Sequence, residues 1–340
     1  MLRKNKLAYC VIALASTAAL AGCAEGMGAQ AATGAPEQQN IVVDSVPAAE
    51  EGGLYVAQEH GFFKQQGLNV TIDPITGGEA GIPNLQSGKA QLVGGNYVSF
   101  VLAQMAGQFQ GKPASFSIVA AGSQILPRTE ALYILPHSKY KTVADLAEDH
   151  ATVGLNTPHD VGQVLLGSLL AQYGYTLGSV RQVTPPSGFT GLMTMLKDGT
   201  VDAAWLPQPY ATIAQEQYGA TELADFDQGA LQEFPFTGYM GTSSWVKSHP
   251  NTVAAFDRAL EEGQEMADSD TSALEKAYEK YVGLPPMVAA TMPFDTYPLM
   301  ISKAEIQRVS DAMYEYGLEP GRKTAYPLSG MIDQTASPGS

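Results

Sequence analysis

From residue 41 onward, short apolar runs alternate with longer stretches in which apolar residues recur at helical spacing. The pattern predicts strands over 41–43, 69–72, 91–94 and 116–120, with helices over 54–66, 81–87 and 97–106 between them. A second set follows, with strands over 131–135, 152–155, 180–183 and 203–206 and helices over 143–147, 158–173 and 188–197. After an apolar segment at 236–241 the chain reads as helical, over 250–267, 271–281 and 303–316. Strands alternating with amphipathic helices are the mark of α/β architecture with largely parallel sheets. Two such sets predict two lobes, each a mixed sheet flanked by helices. Lobe I takes residues 41–130 and 237–316 and lobe II takes 131–236, with the chain crossing between them more than once. Residues 317–340, rich in Pro, Gly and Ser, read as a loosely ordered C-terminal tail.

The first 40 residues follow a different pattern. Arg3, Lys4 and Lys6 precede an apolar run over 7–20 that is too short to span a membrane and ends in small residues, which predicts a signal peptide over 1–22. The sequence Leu20-Ala21-Gly22-Cys23 resembles the lipobox of bacterial lipoproteins. That resemblance implies that Cys23 is acylated and becomes the first mature residue, anchoring the chain to the cell membrane on its outer side. Residues 24–40, rich in Ala, Gly and Gln, read with Cys23 as a flexible tether.

Composition narrows the chemistry. The only cysteines are Cys10 and Cys23. One leaves with the leader and the other carries lipid, so no disulfide or thiolate metal site is expected in the mature domain. The full chain carries −15, and removing three leader cations makes it more negative still; such a surface disfavours nucleic acid and anionic lipid as partners. No phosphate loop, HExxH or GxSxG is present, and His60, His137, His150, His159 and His249 show no metal-ligand spacing. An enzyme, a metal site and a bound cofactor are therefore not expected.

Four blocks carry a family resemblance. Residues 54–70, LYVAQEHGFFKQQGLNV, resemble the opening segment of the nitrate/sulfonate/taurine and pyrimidine-precursor family of periplasmic binding proteins. Gly77-Gly78-Glu79 with Ser87-Gly88-Lys89-Ala90-Gln91-Leu92 resembles a second family block, although Gln91 replaces the usual Asp. Thr142-Val143-Ala144-Asp145-Leu146 resembles the start of the family's second lobe, with Ala147-Glu148 in place of Lys-Gly. Residues 199–210, GTVDAAWLPQPY, resemble a strand that lines the cleft. The resemblance runs in order over residues 43–267. It implies the two-lobe type II periplasmic binding protein fold hinged by two crossing segments, an interlobe ligand, and delivery to an ABC permease with a separate ATPase subunit, the receptor itself being monomeric. A receptor feeding a signalling partner would use the same cleft. The family's relatives include a fungal synthase that makes a thiamine pyrimidine from pyridoxal phosphate and its own histidine, but its cysteine-rich iron-binding motif has no counterpart here.

Open α/β sheets bind ligands beyond the carboxyl ends of their strands. That rule selects loops at 44–54, 76–79, 95–99, 156–161 and 185–189, together with 205–210. Within them, Tyr97, Phe189, Trp205 and Tyr210 could stack on a flat ligand, with core packing as the alternative for Phe189 and Trp205. Ser45, Asn96, Ser187 and Gln208 offer uncharged hydrogen-bonding groups. Gly52 and Gly78 would admit close backbone approach. Thr157-Pro158-His159-Asp160 reads as a helix start, with Thr157 as N-cap and Asp160 as the capping-box acid. Its free N–H groups and Thr157 are candidate ligand contacts, as is His159. No Lys or Arg occurs over 41–63, 70–88 or 151–180, whereas Glu50, Glu51, Glu79 and Asp160 lie on the loops. This balance favours a neutral or cationic heteroaromatic, such as a pyrimidine precursor, over a sulfonate, taurine or nitrate held by helix ends alone. Glu50 and Glu51 could instead simply complement a helix dipole.

Overall fold

In β1 (Asn40–Ser45), Ile41 and Val43 are fully buried, and a parallel partner runs on each side of the strand. The partners are β2 (Asn69–Pro74) and β3 (Leu92–Asn96). The turn into β2 is made at Gly67, whose φ of 80° lies in the left-handed region that glycine enters without penalty. The structure, a computed structural model, describes residues 34–109, 115–300, 302–328 and 330–332. The predicted signal peptide and Cys23 lie outside the described residues.

The chain builds two five-stranded sheets. The first has the order β2-β1-β3-β10-β4, with β4 at Phe116–Ala121 and β10 at Thr237–Thr242. The second has the order β7-β6-β8-β5-β9, formed by β5 (Glu130–Ile134), β6 (Thr152–Gly154), β7 (Arg181–Val183), β8 (Ala203–Pro207) and β9 (Thr221–Asp225). In each sheet one strand runs against its neighbours: β10 in the first and β5 in the second. Each follows a crossing from the other sheet, so the reversal marks where the chain changes sides. The crossings, at 122–129 and 226–236, are bonded to each other through Ile125 N–H to Phe234 O at 3.1 Å and Phe236 N–H to Ser123 O at 2.9 Å.

Several local expectations are revised. The helix expected over 54–66 breaks at left-handed Gly61 into Gly52–Glu59 and Phe62–Gln65. The helix after β2 begins at Gly78, with Gly77 as N-cap. Strand β9 and the helix Tyr210–Tyr218 carry weak apolar periodicity and were not anticipated. The end of the predicted tether is pinned: the Glu37 carboxylate accepts from Asn251 and Thr252, whose bonds pull its pKa down to about 2, and the Gln38 N–H donates to Thr252 Oγ1 at 2.9 Å. These acceptors satisfy N–H groups in the first turn of the helix Pro250–Ser269, which the helix cannot satisfy itself. The described part of the predicted tail also packs down. Leu318, Tyr326, Leu328 and Met331 are buried, and Ile118 N–H donates to Met331 O at 2.6 Å. Burial of these apolar side chains outweighs the turn-rich composition around them.

One apolar cluster lies between the first sheet and its outer helices, around Leu54, Phe63, Phe256 and Leu260. A larger one runs through the second sheet and continues across the interface to Val93, Tyr97 and Phe100 of the first. Helix Lys303–Glu315 contributes Ile306, Val309 and Met313 to this shared cluster.

Candidate functional site

Residues following β1 and β2 and the last residues of β3 meet residues following β6 and β7, with Trp205 of β8, around one interface cavity. Val46, Glu50, Gly77, Gly78 and Asn96 approach from the first sheet, and Asn156, Val161, Phe189 and Trp205 from the second. The cavity measures about 20 Å³, room for a single water molecule. A groove of about 380 Å³ opens beside it between Glu79, Pro83, Ser99, Thr157, His159 and Asp160.

Polar bonds join the two sides between cavity and groove. Ser99 Oγ donates to both oxygens of Asp160, at 2.9 and 3.1 Å, and Asn96 Nδ2 donates to Asp160 Oδ2 at 3.3 Å. Asn96 also accepts the Ser99 N–H at 2.8 Å, which places it at the start of helix Tyr97–Phe109. Thr157 Oγ1 donates to Glu79 Oε1 at 3.3 Å, and Ala49 N–H donates to Gln208 O at 3.1 Å. Asp160 is buried, and desolvation with the nearby Glu79 charge pushes its carboxyl up to about 7.

The wall of the second sheet is aromatic. Phe189 stands edge-on to Trp205 with centroids 5.1 Å apart and lies 5.2 Å from Tyr210. Trp205 Nε1 donates to Glu130 Oε2 at 2.5 Å. Gly162 leaves room for the indole, because a Cβ there would come within 2.8 Å of the ring.

Five of the residues singled out in the sequence line the cavity: Glu50, Gly78, Asn96, Phe189 and Trp205. Glu79, Thr157, His159 and Asp160 line the groove. The expected capping at 157–160 is not made. The helix begins at Val161, Asp160 is its N-cap residue without a side-chain capping bond, and exposed His159 has a φ of 54°. Across the cleft, Ser99 and Asn96 recruit the carboxylate instead.

Six singled-out residues line neither space. Ser45 is buried at the end of β1, and Ser187 is exposed before helix Gly188–Lys197. Gly52 is held against the hydroxyls of Tyr278 and Tyr297, leaving no space for a side chain. Tyr97 is wedged against Gly238 in the core. Gln208 is committed locally, accepting from Thr212 Oγ1 at 2.8 Å and donating to Arg128 O at 3.1 Å. Tyr210 stands behind Phe189, its phenol pushed up to about 12 by burial and the proximity of Glu50.

The structure adds Asn156, Ser99, Glu130 and Asp295. Asn156 and Ser99 belong to loops the strand-end rule selects. Glu130 opens an apolar strand and Asp295 lies in the connection between helices Pro286–Thr291 and Lys303–Glu315, so neither carries a local signal. Burial raises both carboxyls. For Glu130 the further upward causes are the carboxylates of Glu50, Asp295 and Asp225, while Thr129 and Ser123 partly offset burial at Asp295, which stands at about 7. Among the described residues no group of His, Cys, Asp and Glu is arranged to hold a metal ion, and no helix is long and apolar enough to cross a membrane.

The family described as NMT1/THI5 like matches residues 49–271 of this chain. YtlA of Bacillus subtilis (strain 168) is 22% identical over 222 residues, which span 64% of this chain and 63% of YtlA. The alkanesulfonate-binding protein SsuA from Xanthomonas axonopodis pv. citri, in a structure bound to MOPS, superposes with a TM-score of 0.72 at 19% identity, covering 87% of this chain and 98% of that one. The periplasmic nitrate-binding protein NrtA from Synechocystis PCC 6803 gives a TM-score of 0.72 at 15% identity, covering 85% and 84%. The two sheets and their flanking helices are thus the periplasmic binding protein fold.

Proposed function

The chain belongs to the NMT1/THI5-like family, and from that premise we propose that it is the extracytoplasmic solute receptor of an ABC importer, anchored through lipidated Cys23 and acting as a monomer. It captures a small organic solute between the two sheets and delivers it to a permease driven by an ATPase subunit. The observation that carries this reading is the cavity built from strand-end loops of both sheets, with polar bonds across its rim. Ligand sites typically occupy several hundred Å³, so at about 20 Å³ this cavity admits a solute only when the sheets part. The crossings at 122–129 and 226–236 supply a hinge for such a motion.

SsuA and NrtA are named for binding anions. Here no Lys or Arg lines the cavity among the described residues, while Glu50 does. A flat solute that is neutral or cationic, such as a pyrimidine precursor, suits the aromatic wall and its acid better than a sulfonate or nitrate. A thermal-shift screen of the purified protein against pyrimidines, other heteroaromatic amines, sulfonates, taurine and nitrate tests the reading. A true ligand at a hundredfold excess over its Kd stabilises the fold by about 2.7 kcal/mol. A melting temperature unmoved by the whole panel would remove the receptor assignment, and a response to sulfonate or nitrate alone would reverse the charge preference.

A further inference from the structure

The cavity offers acceptors that nothing in the protein satisfies. Glu50 Oε2 and Asn156 Oδ1 are buried without a hydrogen-bond partner, both residues are more than nine-tenths buried, and both line the cavity from opposite sheets. Leaving a buried acceptor unpaired costs roughly 1–3 kcal/mol, and more if it is charged.

The groups around Glu50 do not relieve it. Glu51 follows it in the same turn, Asp295 comes from the segment beside the hinge, and Glu130 comes from β5. The phenols of Tyr55, Tyr210 and Tyr297 also sense its charge. None of these is a cation. Burial, together with the Asp295 and Glu51 charges, pushes the Glu50 carboxyl well above its ordinary range, which favours its neutral form in the closed protein. Phe189, Trp205 and Phe236 give the cavity flat apolar surface, and Thr76, the Gly77-Gly78 turn and Asn96 complete the wall on the first sheet's side.

Resting on the receptor reading above, we infer that the solute is a flat organic cation with at least two N–H donors, of amidinium or aminopyridinium type. Its head lies between Glu50 Oε2 and Asn156 Oδ1, against the aromatic wall. Charge balances by exchange: the cation enters, the Glu50 carboxyl releases its proton to solvent, and an ion pair with hydrogen bonds replaces a neutral acid. A neutral isostere gains no ion pair, and an anion meets the carboxyl group of Glu50 and the oxygen of Asn156.

Four probes with similar rings separate these cases: benzamidinium, 4-aminopyridinium, benzamide and benzenesulfonate. Thermal shift and titration calorimetry on the purified protein are expected to show binding of the two cations only. Repeating the calorimetry in buffers of different ionisation enthalpy is expected to show release of up to one proton per cation bound, with affinity increasing as pH rises, by up to tenfold per unit while the pH is below the Glu50 pKa. Glu50→Gln should keep the far-UV spectrum and melting cooperativity, weaken the cations at least tenfold, and abolish proton release. Asn156→Ala should weaken them while leaving proton release intact. Binding of benzamide or benzenesulfonate as tight as that of the cations overturns the inference, as does cation binding indifferent to Glu50→Gln. Silence of all four probes overturns it too. In each case the receptor reading stands or falls separately on the wider solute screen.

Discussion

Asp160 shows how far a residue's role can depart from its local pattern. Thr157-Pro158-His159-Asp160 spells a helix cap, yet the Asp160 carboxylate reaches across the cleft to Ser99 and Asn96. Its pKa rises from the ordinary 3.8 to about 7 in the folded protein. A raised carboxyl pKa contributes stability that is full below the unfolded value and is lost as pH climbs through the folded one. Glu51 and Asp295, both also near 7, act in the same direction. The melting temperature of the unliganded protein is therefore expected to fall between about pH 4 and about pH 7 and to level off above that. Asp160→Asn, which cannot ionise, should flatten that slope. A slope identical to wild type in a calorimetric pH series would detach Asp160 from the effect. Residue type was legible here, since the sequence marks an acid on a cleft loop. Its partners were not, because Ser99 lies 61 positions away.

At the scale of elements, most strands are visible as apolar runs. Those missed are explained by packing: β9 is an edge strand with exposed positions and no strong alternation. Glycine decides how closely two elements of the cavity wall approach. A Cβ on Gly95, at the end of β3, would stand 2.8 Å from the backbone Cα of Gly78 at the start of the next helix along the cavity wall. Gly95→Ala is accordingly expected to destabilise the fold by about 1–3 kcal/mol through overpacking, read by urea denaturation, and to impair ligand binding as well. Thr142→Ala provides the contrast. It breaks the capping box of helix Val143–Glu148, far from the cavity lining, and should cost about 1 kcal/mol with ligand affinity unchanged. Equal binding losses in the two variants would mean that Gly95 acts only through global stability.

At the scale of the whole molecule, the two crossings do not act alone. Helix Lys303–Glu315 feeds the apolar cluster shared by both sheets, and Arg308 donates from it to the carbonyls of Ala230, Gln232 and Glu233 in the second crossing. Tyr316, just beyond that helix, covers Gly167 of helix Val161–Gln172, which packs with the second sheet. This helix is therefore expected to act as a strap across the hinge that the crossings would form. Arg308→Ala should favour the open arrangement, seen as a larger radius of gyration in solution scattering without ligand. Its affinity should fall by a small factor, because the guanidinium bonds are exposed. An unchanged radius and affinity would show that the strap leaves the hinge free.

The sequence by itself determined the alternation of strands and helices, the division into two strand sets, the family, and the acid-rich, base-poor character of the cleft loops. These depend on local periodicity, turn chemistry and charge, which are written residue by residue. Tertiary structure decided which loop residues face the cavity, that Gly52 and Gln208 serve packing and local bonds instead, and that Glu130 and Asp295 join Glu50. Those outcomes depend on contacts between residues far apart in the chain. Burial, which raises the pKa of Glu50 and leaves its Oε2 without a partner, exists only once the two sheets close on each other.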